Sequence, residues 1–434
     1  MRITILHHGL MIEFDTWTNE YPLTMTVTWY RDTTQLEQQT YNVDSALYFC
    51  DAQVSAYNKI VIVINNMIRP NRYLKIFNIY DGVTRNFYNE EIENLSIIEE
   101  INSNNTTLAI NQGTTTILPQ SITGVQFQRT LPFMIYRNEV LYGKFFISTS
   151  TANSDKSLYK IKVNDWISIL EGQTFLGGIY NGTAVSTVIS SLMGDVPYTL
   201  DATLGAKTLT GYLPILNKRE ALRQIAFAIN AMIDTSRSDK VEIKPLPSSA
   251  SGSFGKADIV TIETTQQNIT TKYVLNVKGL ATKTQDAEEL FNGSISGATT
   301  ILFDSPMYDL SITGGTIVSS NINYAIITGS GTVVLTGKQY DIIESQYEKN
   351  NNYAIITDIE KSQTFNTTLI TDTTTMLNNL HFVEYKIKSR FKMGTAKVGD
   401  IISLNGTTCR VIKLSYDLAQ TEIYCQAELE AYYD

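Results

Sequence analysis

The stretch NKREALRQIAFAINAMIDTSRSDKVEIKP, residues 217–245, has the clearest helical pattern in the chain. Asn217 can cap this helix, and Glu220 stands three residues later, where a capping box has its second member. A short strand pattern, VEIKP, follows at residues 241–245. The helix is indicated by apolar residues that recur at three- and four-residue spacing on one face: Leu222, Ile225, Ala226, Ile229, Met232 and Ile233.

The charged residues of the same stretch could serve chemistry or architecture. Arg219 and Arg223 are four residues apart, on the side away from the apolar stripe. Asp234, Thr235 and Ser236 are typical of a turn between a helix and a strand. We therefore interpret the charges as architectural, and we expect Arg223→Ala to leave folding and assembly largely intact. The whole set is Arg219, Glu220, Arg223, Asp234, Arg237 and Asp239.

Length and composition indicate a soluble globular protein with several cores. With 434 residues the chain is too long for one ordinary core, and about three domains are expected. The hydrophobic fraction of 43%, the mean hydropathy of −0.09 and the low count of nine prolines argue against extensive disorder. A formal charge of −9 and a pI near 5.1 argue against a broad phosphate-binding surface, and so against a nucleic-acid reader.

The chain shows no sign of export or membrane insertion. Residues 1–14 lack the apolar run and cleavage site of a signal peptide. The longest apolar stretch, KIVIVINNMI at residues 59–68, is shorter than the roughly 20 residues of a membrane-spanning helix and predicts a buried strand. Cys50, Cys409 and Cys425 form no CxxC pair and suit a reducing compartment; Cys425 is predicted to be a core residue.

Strand patterns dominate outside the central helix. LYKIKVNDW at residues 158–166 alternates apolar residues with lysines, and is predicted to pair with KFFISTS at residues 144–150. NYAIITGSGTVVLTGKQY at residues 323–340 predicts a hairpin with a Gly-Ser-Gly loop. Asn405-Gly406 predicts a second, tight hairpin.

Two further helices are predicted. GTAVSTVISSLMGD, residues 182–195, has one apolar face and should end at Gly194. Residues 373–391 fit both a helix and a strand, and we favour a helix for at least the first half. The chain is thus mainly β with a small α/β insert. Its predicted regions are residues 1–85 (β-rich), 86–172 (β), 173–245 (small α/β), 246–258 (linker) and 259–434 (β-rich, with C-terminal hairpins).

Few residues suit catalysis or metal binding, and we predict no catalytic, cofactor or metal site. His7 and His8 would point to opposite faces of a strand, and His381 has no HExxH neighbourhood, so each is interpreted as a surface or boundary residue. Three adjacent acid pairs are expected to be solvated, although a cell-wall hydrolase remains an alternative, because a glycosidase needs one carboxyl on each side of the scissile bond. The pairs are Glu90-Glu91, Glu99-Glu100 and Glu288-Glu289.

Two tyrosines could have either of two roles. Tyr180 and Tyr212 flank glycine-rich turns and could pack in the core or anchor an interface, since Tyr combines a large apolar body with a polar tip. The Gly-Gly dipeptides of TFLGGIYNGT and SITGGTIV lack both the P-loop and the GxGxxG pattern. They are predicted to be turns or bulges.

Five ordered segments resemble the tail-hub or baseplate-hub proteins of bacteriophages and phage-tail-like particles of low-GC Gram-positive bacteria. Three cover the middle of the chain: LPFMIYRNEVLYGKFFIS, YKIKVNDWISILEGQTFLGGIYNGT and LTGYLPILNKREALRQIAFAINAMIDTSRSDKVEIKP. Two are similar to the distal part of that family: ILFDSPMYDLSITGGTIVSSNINYAIITGSGTVVLTGKQY and KVGDIISLNGTTCRVIKLSYD. The resemblance covers about residues 86–434, and residues 1–85 carry little of it.

The resemblance implies two tube-type, β-barrel-like domains in each subunit, with smaller domains around them. Three subunits would close a homotrimeric ring of six barrels that adapts a sixfold tail tube to a threefold spike or tip. The implied partners are the tail tube or distal tail protein, the spike or tip protein and the tape-measure protein, with DNA only in transit. The chain would be a structural part of the virion tail, assembled in the host cytoplasm, and not an enzyme.

Two other functions stay open from the sequence. A tail-tip or receptor-binding adaptor should bind isolated host glycans, whereas a peptidoglycan hydrolase should clear cell-wall suspensions. A hub should instead co-assemble with tube and spike proteins. The sequence does not distinguish a contractile phage, a non-contractile phage and a bacteriocin-like particle.

Overall fold

The structure is a computed structural model of the chain, and it is mainly β with a small α/β region. The chain divides into two compact units. Unit 1 comprises Met1–Ser96, Gln112–Asn164 and Asp417–Thr421, and unit 2 comprises Ile97–Asn111, Asp165–Tyr416 and Glu422–Asp434. The structure describes residues 1–6, 9–15, 18–52, 54, 57–69, 73–81, 84–120, 127, 131–155, 157–266, 270–351 and 361–432.

Unit 1 is built from strands, of which β9 continues into unit 2 at Ile97. In chain order the strands are β1 (Arg2–Leu6), β2 (Gly9–Phe14), β3 (Pro22–Arg31), β4 (Thr34–Asn42), β5 (Leu47–Asp51), β6 (Lys59–Met67), β7 (Ile76–Asp81), β8 (Thr84–Tyr88), β9 (Ile92–Glu100), β10 (Gln112–Ile117), β11 (Pro132–Arg137), β12 (Val140–Ala152) and β13 (Tyr159–Asn164).

Unit 1 contains one large sheet and two small ones. The large sheet has the order β9-β10-β13-β12-β11-β1-β8, and the small sheets have the orders β5-β2-β7 and β4-β3-β6. Strands β12 and β13 pair antiparallel, which confirms the pairing predicted from LYKIKVNDW and KFFISTS. The small sheets share a core of their own, in which Trp29 and Phe14 are fully buried.

One strand prediction in unit 1 is wrong. KIVIVINNMI forms β6, as expected for a strand, but β6 is only partly buried and Val63 is 49% exposed. The reason is its place in the sheet, because β6 pairs only with β3 among the strands that the structure describes and so lies at an edge. An apolar run therefore indicated the strand but not its burial.

Unit 2 contains the helices and the remaining strands. The helices are α1 (Trp166–Glu171), α2 (Val185–Met193), α3 (Ala202–Gly205), α4 (Lys218–Ile229) and α5 (Thr373–Asn378). The strands are β14 (Thr174–Phe175), β15 (Gly178–Ala184), β16 (Tyr198–Leu200), β17 (Thr208–Leu213), β18 (Leu216–Asn217), β19 (Ala231–Asp234), β20 (Val241–Pro245), β21 (Ala250–Phe254), β22 (Ile259–Gln266), β23 (Lys272–Ala281), β24 (Glu288–Leu302), β25 (Met307–Ser320), β26 (Tyr324–Gln339), β27 (Asp341–Asn350), β28 (Ser362–Thr367), β29 (Leu369–Ile370), β30 (Val383–Lys392), β31 (Ile401–Leu404), β32 (Thr407–Asp417) and β33 (Tyr424–Tyr432).

The main sheet of unit 2 has the order β22-β30-β33-β32-β9, and β31 pairs with β32 and β21. The remaining strands form two-stranded and three-stranded sheets, with the orders β14-β18, β15-β17-β29, β16-β20-β19, β27-β23-β28 and β24-β26-β25. The turn between β31 and β32 has positive φ at Asn405 (50°) and Gly406 (89°), which confirms the tight hairpin predicted there.

The predicted central helix is confirmed as α4, but it is shorter than the apolar stripe indicated, because Met232 and Ile233 belong to strand β19. The side chain of Asn217 accepts a hydrogen bond from the backbone N–H of Glu220 (2.8 Å), as an N-cap should. The helix ends at Asn230 in the left-handed conformation, with φ of 55°. Its apolar face packs in a core of unit 2, where the Phe227 ring stacks on the Phe365 ring at 5.7 Å.

The arginines of α4 bind the loop at residues 105–108, although they were expected on the side away from the core. Arg219 donates to the carbonyl oxygen of Leu108 and pairs with Glu171 (2.8 Å). Arg223 is only 15% exposed, pairs with Glu220 and donates to the carbonyl oxygen of Asn105 (3.0 Å). The charges are therefore architectural, but they fasten residues 105–108 to the helix instead of being solvated.

The other two helix predictions also find counterparts. Helix α2 ends at Gly194, with φ of 57°, as predicted. Residues 373–391 contain both elements that the pattern allowed, because α5 covers Thr373–Asn378 and β30 begins at Val383. The preference for a helix in the first half is confirmed.

The hairpin predicted at residues 323–340 is wrong. The whole run forms one strand, β26, which pairs with β24 on one side and β25 on the other. Gly329 lies opposite Gly297 and Gly315, and a Cβ at Gly329 would come within 3.0 Å of the Gly314 carbonyl oxygen. The glycine thus serves a close backbone approach inside a sheet and not a turn.

Helix α2 provides a test of the core of unit 2. Leu192 is fully buried in it, and Leu192→Ala should lower the free energy of unfolding by about 2–5 kcal/mol, because it leaves a cavity. The neighbouring Ser191 is exposed, and Ser191→Ala should change it by less than about 0.5 kcal/mol. Urea unfolding followed by circular dichroism measures both; equal effects would contradict the assigned helix face.

Candidate functional site: an open sheet face and buried polar clusters

The histidines do not form a site in the described residues. His7 and His8 lie outside them. His381 stands between α5 and β30, where its carbonyl oxygen accepts from the Tyr273 hydroxyl (3.0 Å) and its ring centroid is 5.3 Å from that of Tyr432. Within the described ranges no three His, Cys, Asp or Glu residues are grouped to hold a metal ion.

The paired glutamates do not face one another across a cleft. Both members of Glu288-Glu289 are exposed, as expected for solvated acids. Each of the other pairs buries one member, Glu91 or Glu99, so the expectation of solvation is wrong there. Strand β9 shows the reason, since Leu95, Ile97 and Glu99 alternate onto one buried face. This two-residue alternation in the sequence indicates that Glu99 is buried. The prediction of solvated acids did not take it into account.

Glu99 belongs to a buried charged cluster in unit 2. The Tyr416 hydroxyl donates to Glu99 Oε1 (2.8 Å), and Arg237 Nε lies 3.6 Å from the same oxygen. Arg237 also donates to the carbonyl oxygen of Ala396 (2.7 Å). Burial raises the pKa of Glu99, although Arg237 and Tyr416 act in the opposite direction. The cluster joins β9, β32 and the loop after β19.

Asp165 is the centre of a second buried cluster. It caps α1 by accepting from the backbone N–H of Ile167 (3.0 Å), and its second oxygen accepts from the backbone N–H of Asn111 (3.0 Å). The hydroxyl of Thr235 donates to that oxygen as well, so the predicted turn residue is part of the cluster. Burial raises the pKa of Asp165 to about 6 in spite of these donors.

The Asp165 cluster predicts a pH effect on stability. The folded pKa of about 6 lies above the ordinary value of 3.8, so the folded state binds the proton more tightly. Stability should therefore fall as pH rises from about 4 to 6. The full effect is on the order of 3 kcal/mol. Asp165→Asn should remove this part of the pH dependence in urea titrations between pH 4 and 7. A variant with the slope of the wild type would contradict the assignment.

The main sheet of unit 2 has one apolar and one hydrophilic face. Along β30 the side chains of Ile387 and Phe391 are buried, whereas those of Lys388, Arg390 and Lys392 are exposed. Residues directly opposite in antiparallel strands share a face. The hydrophilic face is therefore an open surface across several strands.

A row of alternating charges crosses this hydrophilic face, which we call the charged row. Lys388 on β30 lies opposite Glu263 on β22 and opposite Glu428 on β33. Glu428 in turn lies opposite Lys413 on β32, whose ammonium pairs with Glu100 on β9 (3.0 Å). Each lysine thus stands between two glutamates. A concave surface of about 550 Å³ includes the middle of the row.

Strand β22 is an open edge of this sheet. Among the described residues it pairs with β30 alone, and it is exposed along both faces, with Val260 54% and Ile262 43% exposed. The residues of β22 whose backbone groups point away from β30 therefore lie at an edge of the sheet. Such an edge can pair with another chain.

The two tyrosines singled out from the sequence come together in unit 2. Tyr180 and Tyr212 line a groove of about 340 Å³ together with Val277, Leu280 and Ile370. Tyr212 is only 5% exposed and belongs to the core, and burial raises the pKa of Tyr180 to about 12. Core packing is thus the observed role of Tyr212.

The three cysteines are free and buried. Burial raises the pKa of Cys50, Cys409 and Cys425 to about 12, so none is held as a reactive thiolate. The prediction of a core role for Cys425 is confirmed. Within the described residues no helix is long and apolar enough to cross a membrane.

No protein-family model and no curated protein matches the chain. Solved structures resemble it, three tail proteins among them. The prophage MuSo2 43 kDa tail protein from Shewanella oneidensis has 7% identity over 81% of this chain and 95% of its own, with a TM-score of 0.45. The prophage tail protein gp18 from Listeria monocytogenes EGD-e has 8% identity over 79% and 89%, with a TM-score of 0.46.

The third is the tail protein from Neisseria meningitidis MC58, with 7% identity over 80% of this chain and 93% of its own and a TM-score of 0.46. At this identity and TM-score the likeness does not assign a function to the chain.

Proposed function

We propose that the chain is a structural subunit of the tail of a phage or a phage-tail-like particle, where three copies form a hub at the distal end. The hub joins a sixfold tail tube to a threefold spike or tip and leaves a conduit for DNA and the tape-measure protein. Residues 86–172 and 259–434 would contribute the two tube-type domains. The sequence resemblance over residues 86–434 supports this proposal, and the open sheet face of unit 2 carries it.

The charged row is suited to the wall of a conduit. DNA binds where lysines and arginines cluster and release counterions from its phosphates. On this face Lys388 and Lys413 are each flanked by glutamates, so cations are present but neutralised locally. A surface of this kind is hydrated and binds neither a phosphate backbone nor an apolar segment.

The open edge of β22 is suited to contact between subunits. On β30, Lys392 directs its backbone N–H toward β22, where it donates to the carbonyl oxygen of Asp258. Arg390 and Lys388 follow at two-residue steps and lie opposite Thr261 and Glu263, so Thr261 and Glu263 direct their backbone groups toward β30. Because backbone groups alternate along an antiparallel strand, Ile262 and Thr264 direct their N–H and C=O groups outward. These groups can continue the sheet into a strand of the next subunit.

Assembly through this edge can be tested with proline. Thr264→Pro removes one outward N–H without taking a donor from the β22–β30 ladder, a placement that edge strands tolerate. The purified variant should stay monomeric in sedimentation velocity at concentrations where the wild type forms trimers. Thr264→Ala keeps the N–H and should assemble normally. Trimers of the folded proline variant would exclude β22 from the subunit contact.

The position in the particle tests the function as a whole. We expect electron microscopy of particles carrying a tagged copy of this chain to show the label at the distal end of the tube, on its axis. A label on peripheral fibres would instead indicate a receptor-binding adaptor. Clearing of a cell-wall suspension by the purified chain, abolished by neutralising one glutamate, would indicate a hydrolase.

A further inference from the structure

Unit 1 carries a row of aromatic and guanidinium groups that the proposed hub function does not use. Arg2 on β1 lies opposite Tyr136 on β11 and opposite Tyr88 on β8, so the three side chains share one sheet face. Neighbouring strands are about 4.8 Å apart, so the row is about 10 Å long. The Arg2 guanidinium carbon is 4.4 Å from the centre of the Tyr136 ring, and Tyr88 is 50% exposed.

Two turns bound this row and supply polar groups. The turn between β11 and β12 holds Asn138 and Glu139, both with positive φ (49° and 61°), and it places the Glu139 carboxylate 3.1 Å from Arg2 Nη2. The turn after β8 supplies Asn89 and Glu90, whose side chains are exposed. The row and the turns enclose an open cleft of about 370 Å³.

Arg2 is incompletely satisfied in this cleft. Its Nε is buried, and in the described part of the chain no acceptor lies within hydrogen-bond distance of it. The one ion pair of Arg2 that the structure shows is with Glu139, whose side chain is 79% exposed. The Arg2 side chain is nevertheless 28% exposed, so guanidinium N–H groups other than Nε are within reach of a ligand oxygen.

The chemistry of the cleft selects among ligand classes. Glu90 and Glu139 oppose an anion, and the ring of amides and carboxylates opposes a purely apolar ligand. A pyranose ring has one face of C–H groups, which can pack on an aromatic ring, and hydroxyls that both donate and accept. The exposed ring of Tyr88 suits the C–H face of the sugar, and the carboxylates, amides and Arg2 suit its hydroxyls. The volume is near the lower end for small-ligand sites.

We propose that the cleft lined by Tyr88, Arg2 and Tyr136 binds a neutral saccharide of one or two pyranose units, as found at the end of a surface glycan. The Tyr88 ring packs on the sugar face. Glu139 and Glu90 accept hydrogen bonds from sugar hydroxyls, and Arg2 donates to a ring or hydroxyl oxygen. This binding can be tested separately from the hub function, since the assembly test of the hub changes β22 in unit 2 and leaves the cleft unchanged.

Saturation-transfer-difference NMR with the full-length chain tests the site, with maltose, lactose and N,N′-diacetylchitobiose as neutral probes and glucuronic acid as an anionic one. At least one neutral probe should show transfer to the protons of one sugar face, with weak, millimolar affinity. Tyr88→Ala should weaken binding at least tenfold. Tyr73→Ala is the matched control, because Tyr73 is 91% exposed in the same unit but outside the cleft.

A second variant keeps the aromatic row intact. Glu139→Gln preserves size and one acceptor oxygen while removing the charge, and it should weaken binding several-fold; circular dichroism confirms that each variant is folded. The proposal is overturned if no neutral probe binds, if Tyr88→Ala binds as well as Tyr73→Ala, or if glucuronic acid binds more tightly than every neutral sugar.

Discussion

A buried carboxylate must keep its compensating partners, and this constraint organises unit 2. Glu99 is 1% exposed, and removing such a charge from water costs several kcal/mol unless donors and an opposite charge surround it. Arg237 and Tyr416 meet that requirement from two other parts of the chain. Movement of β9, of β32 or of the loop after β19 would separate the buried Glu99 carboxylate from these partners without giving it access to water. The three segments therefore hold their positions together.

The second cluster extends the same principle to the helical region. Asp165 begins α1 and at the same time binds Asn111 and Thr235, so one carboxyl joins a helix start to two distant segments. The arginines of α4 add bonds to the carbonyl groups of residues 105–108. Polar residues that could have formed an active site thus connect separate segments of the chain by hydrogen bonds. The apolar face of α4 packs between them.

Local patterns predicted the local structure. Helices α2 and α4 and the Asn405-Gly406 turn follow from spacing and capping within a few residues, and each is present. The single strand β26 could not be predicted, because its Gly-Ser-Gly segment looks like a turn until β24 and β25 are placed on either side. The exposure of β6 depends likewise on which strand lies beside it.

The candidate sites depend even more on tertiary structure. The charged row draws one residue from each of five strands, and the Tyr88, Arg2 and Tyr136 row draws on three, so neither is visible without the strand register. The sequence could show only that single positions alternate. Glu99 is the exception, because alternation with Leu95 and Ile97 along β9 already marked it as inward-facing.

The open edge of β22 also affects how the proposed subunit behaves before it assembles. A head-to-tail contact between an edge and a different surface closes into a ring only if the rotation is right, and otherwise propagates as a filament. Freshly made chains with this open edge and exposed Val260 and Ile262 are therefore at risk of polymerising. Ring closure would consume every such edge, so the geometry that sets the number of subunits would also protect the cell from aggregates of this chain.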